Sequence, residues 1–442
     1  MQALPATLKA NRKLSAAIGV SRNFWTELTR GSRELSWVLA GKFALMGANA
    51  AAMLFLAKKF DLKTYGLLVL TISGQLLVSR FLIMGVDHGM IRLITTPELR
   101  ARKKDVITAG LVSMACTSGV MFLVAVLLVP VFSWFAIPGW TIACMVVGAI
   151  GTALVDYGFG FRLARLEYRL AAVAQGGTAL WRLAVTAIAA VIIPSPIVVF
   201  FAYHGASLLS GMLQTSLIAG TSWGRPDRSL VLKLLRYSFW QGKANMIVIF
   251  SLYQGTFLLM LLNQQAETGI FGLALTVSLG FFAIYNACSE YLLARVRALE
   301  HISELPSFLT FTLLSAFLLI LACAPVVAAL AMFLPWLLGP EWHDVVTVFV
   351  YLAVAMVSLI IQAPIEAAFH YLLKPQLILF GWLTRAILVA IAGFIFAPTM
   401  GAKGAAIAQL VGFALGIVVL IYLVVASIRS ASTTEVYSRE SP

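Results

Sequence analysis

The stretch FLTFTLLSAFLLILACAPVVAALAMFL, residues 308–334, decides the class of fold: its 27 consecutive residues include no charged side chain. At about 1.5 Å of rise per helical residue, roughly 20 apolar residues cross a hydrocarbon core about 30 Å thick. This segment is long enough to span. Working outward, windows of the same kind fill most of the 442 residues, of which 61% are hydrophobic and 11% charged, at a mean hydropathy of +0.94. A soluble domain carries roughly 25% charged residues.

Twelve candidate spans result: Leu35–Ala57, Thr64–Met84, Val106–Val129, Trp140–Phe159, Leu170–Ile193 and Ile197–Ala219 in a first half, then Tyr237–Leu262, Ile270–Leu293, Phe308–Leu334, Val345–Phe369, Pro375–Phe396 and Ala402–Ala426. The expected fold is an all-α polytopic membrane protein of about twelve transmembrane helices in two six-helix bundles related by pseudo-two-fold symmetry. Its expected parts are a basic arm (1–34), a first bundle (35–220), a linker (221–236), a second bundle (237–427) and a tail (428–442).

Basic residues near span ends resist export, so their placement predicts orientation. Twenty-three of the 32 Lys and Arg fall on the side of both termini, four (Lys58, Lys59, Lys63, Lys403) on the other, and five inside spans. This places both ends in the cytoplasm. It also makes most of the +14 formal charge a signal for topology and not a nucleic-acid surface. The arm, with Lys9, Arg12, Lys13, Arg22, Arg30 and Arg33, reads as a segment lying on anionic lipid, and no cleavable signal is visible. Cys116, Cys144, Cys288 and Cys323 lie in apolar runs without CxxC spacing, so we read them as packing thiols and expect no metal site.

The halves resemble each other. Gly41-Lys42 and Gly242-Lys243 open the first span of each half, 201 residues apart, and Tyr65-Gly66-Leu67 and Phe271-Gly272-Leu273 open the second, 206 apart. Because each half holds an even number of spans, the repeat is parallel, about an axis along the membrane normal.

Lys42, Arg80, Arg182, Lys243 and Arg385 are the five bases inside spans. Each costs about 2.5–3.5 kcal/mol at the bilayer centre, so five facing lipid would cost on the order of 12–17 kcal/mol, above a typical fold stability of about 5–15 kcal/mol. Most must therefore face a polar interior, an acid or the headgroups. Snorkelling is open to Lys42 and Lys243, near one end. Lys42 and Asn49 share a helical face, as do Lys243 and Gln254, and Ser73, Arg80 and Asp87 recur every seven residues. Spans one, two and seven could thus wall a cationic cavity for an anionic ligand such as a lipid diphosphate, with Arg binding phosphate oxygens bidentately. The acids Asp87, Asp156, Glu290 and Glu366 are candidates either to pair with these bases or to couple transport to protons or Na⁺. His370 stands one turn beyond Glu366, which is also what a helix-end pair near water would show.

Catalytic motifs are missing. Walker A requires glycine five residues before its Gly-Lys, where Ser36 and Tyr237 stand, and there is no GxSxG, HExxH or DxD. The expected cofactor set is empty. A membrane glycan polymerase or ligase would need a long outer loop, and the longest outer connection, Leu334–Asp344 with Glu341 and His343, is short.

Phe60-Asp61-Leu62-Lys63-Thr64-Tyr65-Gly66, followed by Met84-Gly85-Val86-Asp87-His88-Gly89-Met90-Ile91-Arg92, resembles the "eYG … lGl…alvR" pattern of Wzx-type polysaccharide flippases in the MOP superfamily. Glu267-Thr268-Gly269-Ile270-Phe271-Gly272-Leu273-Ala274 is similar to their "vGiYalA", with Phe271 where tyrosine is commoner. Leu338-Gly339-Pro340-Glu341-Trp342 resembles "lfG.ey", and residues 400–408 resemble "yGalGAAia". The order and spacing cover nearly the whole chain, apart from the basic arm.

The resemblance implies two rocking bundles that export a polyprenyl-diphosphate-linked glycan across a bacterial inner membrane, coupled to a proton or Na⁺ gradient. Membrane lipids and polysaccharide polymerase or export proteins are the implied partners, with no nucleic acid. The second reading is a multidrug antiporter of the same superfamily, which would bind organic cations and want an acidic chamber, whereas these spans hold five bases against at most four acids.

Overall fold

The computed structural model describes residues 36–37, 40–95, 102–134, 137–165, 167–222, 224–296, 304–372, 374 and 376–440, so the basic arm lies outside the described residues. The described chain is nearly all helix. In order come α1 (Ala40–Ala57), α2 (Leu62–Ile83), α3 (Val86–Thr95), α4 (Lys103–Trp134), α5 (Gly139–Ala164), α6 (Tyr168–Ile192) and α7 (Pro196–Ser222). The second half comprises α8 (Arg228–Leu261), α9 (Gln265–Val296), α10 (Leu305–Leu338), α11 (His343–Ser358), α12 (Gln362–Tyr371) and α13 (Gln376–Glu440).

Among the described residues, eleven continuous helical stretches are long and apolar enough to cross a membrane. One of them, residues 376–428, is two spans: Gly401 breaks α13 with φ 56, ψ −135. That backbone conformation needs glycine, and a side chain there would collide with Glu267. The chain is thus a multi-pass membrane protein with the twelve spans expected.

Packing follows the repeat. In the first half α2 packs on α5 and α5 on α7; in the second, α9 packs on α11 and α11 on α13. The halves meet where α2 crosses α9. A Cβ on Gly66 would strike the Gln265 carbonyl, one on Gly269 would lie 2.7 Å from the Leu62 carbonyl, and one on Gly272 would enter Val69. Backbones this close require small residues. Beside the crossing Trp342 meets Tyr65 edge to face, centroids 5.2 Å apart, and one continuous apolar core joins Leu68 and Val69 to Phe271, Leu275 and Val345. This end of the seam is closed by apolar packing.

At the other end α2 stops where Met84 and Gly85 turn left-handed (φ 41 and 73), which starts α3 on a new axis. A Cβ on Gly85 would lie 2.7 Å from the Ser238 carbonyl, and one on Gly242 2.6 Å from the Met84 carbonyl carbon. The expected seven-residue face of Ser73, Arg80 and Asp87 is therefore broken before Asp87.

Two helix boundaries and one cysteine differ from expectation. The second half begins at Arg228 because Asp227 caps α8, accepting from the Leu230 amide at 2.7 Å, so helix replaces most of the expected linker. The segment after residue 428 continues α13 to Glu440 and is not a separate tail. Cys144 and Cys323 are buried as packing thiols are, but Cys116 lies on an exposed face of α4.

Candidate functional site

Two buried arginines, one per bundle, organise the polar interior. Arg182 on α6 and Arg385 on α13 are 203 residues apart, within the offsets of the repeat, so they occupy equivalent places. Arg182 is 8% exposed and Arg385 is fully buried. Each guanidinium lies against aromatic rings: Arg182 sits 4.8 Å from the Tyr203 centroid, and Arg385 sits 4.8 Å from Trp382 and 5.4 Å from Phe413. Such stacking recovers part of the lost hydration of a weakly hydrated cation.

Around Arg182 the first bundle supplies neutral dipoles. Its guanidinium donates to the Asn49 side-chain oxygen on α1 and, at 3.3 Å, to Ser207 Oγ on α7. One turn along α7, His204 is wholly buried, bonded to Gln75 and at 3.1 Å to Thr71 Oγ1, and Gln75 in turn donates to Thr152 on α5. Among the described residues no carboxylate lies within ion-pair distance of Arg182. Tyr253, from α8 of the other bundle, is within electrostatic reach of both Arg182 and Arg80. The uncompensated charge therefore stands beside the seam.

Around Arg385 the second bundle supplies an acid. Glu366 on α12 accepts from Tyr285 Oη at 2.7 Å, Ser289 Oγ at 3.5 Å, Trp382 Nε1 at 3.2 Å and the Gln362 side chain. Arg385 makes no hydrogen bond to the described residues, but Glu366 and Tyr285 both act on it electrostatically. The node thus sets a carboxyl group near the guanidinium. Gly416 leaves room for the Arg385 stem, since a Cβ there would overlap it.

The other sequence-derived residues fall apart into pairs and edges. Arg80 is ion-paired to Asp156 on α5, Nη1 to Oδ2 3.0 Å. Gln254 turns into its own bundle, where its amide donates to the Ala386 carbonyl at 3.0 Å, so it leaves the face it was expected to share with Lys243. Lys243 is exposed, its Nζ 4.1 Å from the Phe239 ring centroid, and Lys42 is half-buried on α1. Asp87 is half-buried on α3 against Gly160, and Glu290 falls in α9 with its side chain outside the described residues. What the structure brings together is Asn49 with Arg182, Arg80 with Asp156, and Arg385 with Glu366. The three bases expected to share one chamber, Lys42, Arg80 and Lys243, are not joined by any of these bonds.

Sequence reasoning missed His204, Gln75, Tyr203, Ser207, Tyr285, Trp382 and Phe413. Two signals were present. The offset between the two arginines, 203, falls between the 201 and 206 of the repeat, and His204 and Gln75 are polar residues deep inside apolar windows, where each must find a partner.

The fold is similar to those of solved transporters of the MOP superfamily. A multidrug-resistance MATE family transporter of that superfamily in an inward-facing conformation aligns with a TM-score of 0.69 at 14% identity, covering 90% of this chain and 99% of that one. The lipid II flippase MurJ, in an inward closed conformation, gives 0.61 at 11% identity over 90% of both chains. A MOP superfamily transporter from Pyrococcus furiosus Vc1, for which a reversed polarity of the binding pocket suggests a different function, gives 0.58 at 15% identity over 90% and 95%. No family model matches the sequence, and no curated protein matches it either.

Proposed function

We propose that the chain is a flippase of a bacterial inner membrane that moves a polyprenyl-diphosphate-linked oligosaccharide by alternating access. The observation that carries this reading is Arg182, a membrane-buried guanidinium beside the seam with no acid in ion-pair distance among the described residues. A buried cation without an acid is expensive, and an anionic ligand that reaches it relieves the expense. The reading is supported by the likeness of fold to a lipid II flippase and to a MOP superfamily transporter whose binding pocket has reverse polarity.

In this reading Arg182, with Lys42 on the adjoining helix, holds the diphosphate. Arg80 exchanges Asp156 for a phosphate oxygen as the lipid enters, and Lys243 attracts it from the exposed side. Glu366 is the coupling acid, since its four donors lie on three helices of the second bundle and a change in its charge alters their packing. Asp87 is the second candidate for coupling.

The test is transport of a fluorescent polyprenyl-diphosphate oligosaccharide in proteoliposomes. Arg182→Gln should lower the rate at least about tenfold, the value of one charge-assisted hydrogen bond. An unchanged rate removes Arg182 from the site, and exchange of an organic cation in place of the glycolipid replaces this reading with the antiporter one.

A further inference from the structure

On the outward side of the first bundle, α5, α6 and α7 enclose a groove of about 460 Å³ that is separate from both arginine nodes. Its walls are Val173, Trp181, Leu209, Leu213 and Leu217, all exposed. Its floor is polar. Arg162 donates to Gln214 Oε1 at 3.1 Å, Gln214 donates to Thr178 Oγ1 at 2.9 Å, and Ser210, 8% exposed, makes no hydrogen bond to the described residues. Arg162 stands in the last turn of α5, at the end of the bundle that carries the basic connections, and no described carboxylate lies within ion-pair distance of it. A lipid-facing surface has no ordinary reason to keep a cation, an amide and a hydroxyl at the bottom of an apolar cleft.

We infer that the groove binds one anionic phospholipid of the adjoining leaflet, its phosphate on Arg162 with Ser210 as a second donor and an acyl chain along the leucine wall. The occupant is a lipid because the walls face the bilayer. It is acidic because the Arg162 guanidinium has donors beyond its bond to Gln214, and the acid near it, Glu167, is ion-paired with Arg165 at 3.0 Å. A zwitterionic lipid brings its own cation to the same place and loses that advantage.

The experiment uses the full-length protein in nanodiscs of phosphatidylcholine with an equimolar fraction of phosphatidylglycerol, and native mass spectrometry of the lipid retained. The wild type should keep one phosphatidylglycerol in preference to phosphatidylcholine by about tenfold. Arg162→Gln should abolish the preference, whereas Arg169→Gln, whose guanidinium lies over Trp37 outside the groove, should leave it intact. Gly177→Leu supplies an independent variant. A Cβ at Gly177 meets nothing within 4 Å, so the new side chain fills the groove without disturbing the helix, and it should displace both lipids at an unchanged melting temperature. Equal retention of the two lipids by the wild type, or a phosphatidylglycerol preference that survives both Arg162→Gln and Gly177→Leu, overturns the inference.

Discussion

Arg80 and Asp156 bridge α2 and α5 through an ion pair of 3.0 Å in which each side chain is only 21% exposed. Removing one partner takes this ion pair from the other charge inside the membrane. Asp156→Asn or Arg80→Met should each lower stability by about 3 kcal/mol, the lower end for a broken buried pair. The exchange Arg80→Asp with Asp156→Arg should recover most of that loss in a thermal melt while glycolipid transport stays low, since the cation would then sit on α5. Full recovery of transport would exclude the partner exchange proposed for Arg80.

The crossing of α2 and α9 depends on glycine. Gly269→Leu places a side chain 2.7 Å from the Leu62 carbonyl and should push the two helices apart. Paired cysteines at positions 62 and 265 should crosslink readily in the parent and at least several-fold more slowly in this variant. Equal crosslinking rates would show that this end opens without resistance.

In the second bundle, Glu366→Gln keeps the volume and one oxygen but presents an amide to Trp382 and Gln362, which are themselves donors. The variant should fold, bind glycolipid and lose the dependence of transport on the ion gradient. Tyr285→Phe removes one bond of 2.7 Å to the carboxylate and should cost about 1.5–3 kcal/mol of stability. Gradient dependence that survives in Glu366→Gln moves the coupling role to Asp87.

Acid should loosen the start of α8. The Leu230 amide, then Ser229 and Arg102, hold the Asp227 carboxyl below its ordinary value of 3.8. A group with a depressed folded-state value contributes its stability above the unfolded value and loses it as pH falls through the folded one. Protection factors for hydrogen exchange at residues 228–231, corrected for the intrinsic rate at each pH, should therefore be high above about pH 4 and fall below 3.8. Asp227→Asn, which caps without ionising, should flatten that dependence.

Much of the fold was legible because apolar length is a strong signal in a bilayer. Residues 308–334 read directly as α10, and even the break at Gly401 fell between two expected spans. The site was legible only in kind. Helical spacing assigned Ser73, Arg80 and Asp87 to one face, but the face ends at Gly85, whose conformation depends on Ser238 and Gly242 in the other half. Spacing along one helix also gave no warning that Gln254 would turn toward Ala386, because the side of a buried helix that faces its own bundle is set by neighbours distant in sequence. The pairing of Arg80 with Asp156 and the placing of Glu366 beside Arg385 are tertiary facts of the same sort.

Glu267, in the first turn of α9, accepts the amide of Ala402 at 2.8 Å, just after the break at Gly401. The partner that this carboxylate grips lies 135 residues further along the chain, in a span that leaves the ribosome well after α9. During biosynthesis α9 therefore enters the bilayer well before its clasp exists, and a nascent chain halted ahead of Gly401 lacks the anchor that joins the two. Assembly of the second bundle is completed from its youngest end.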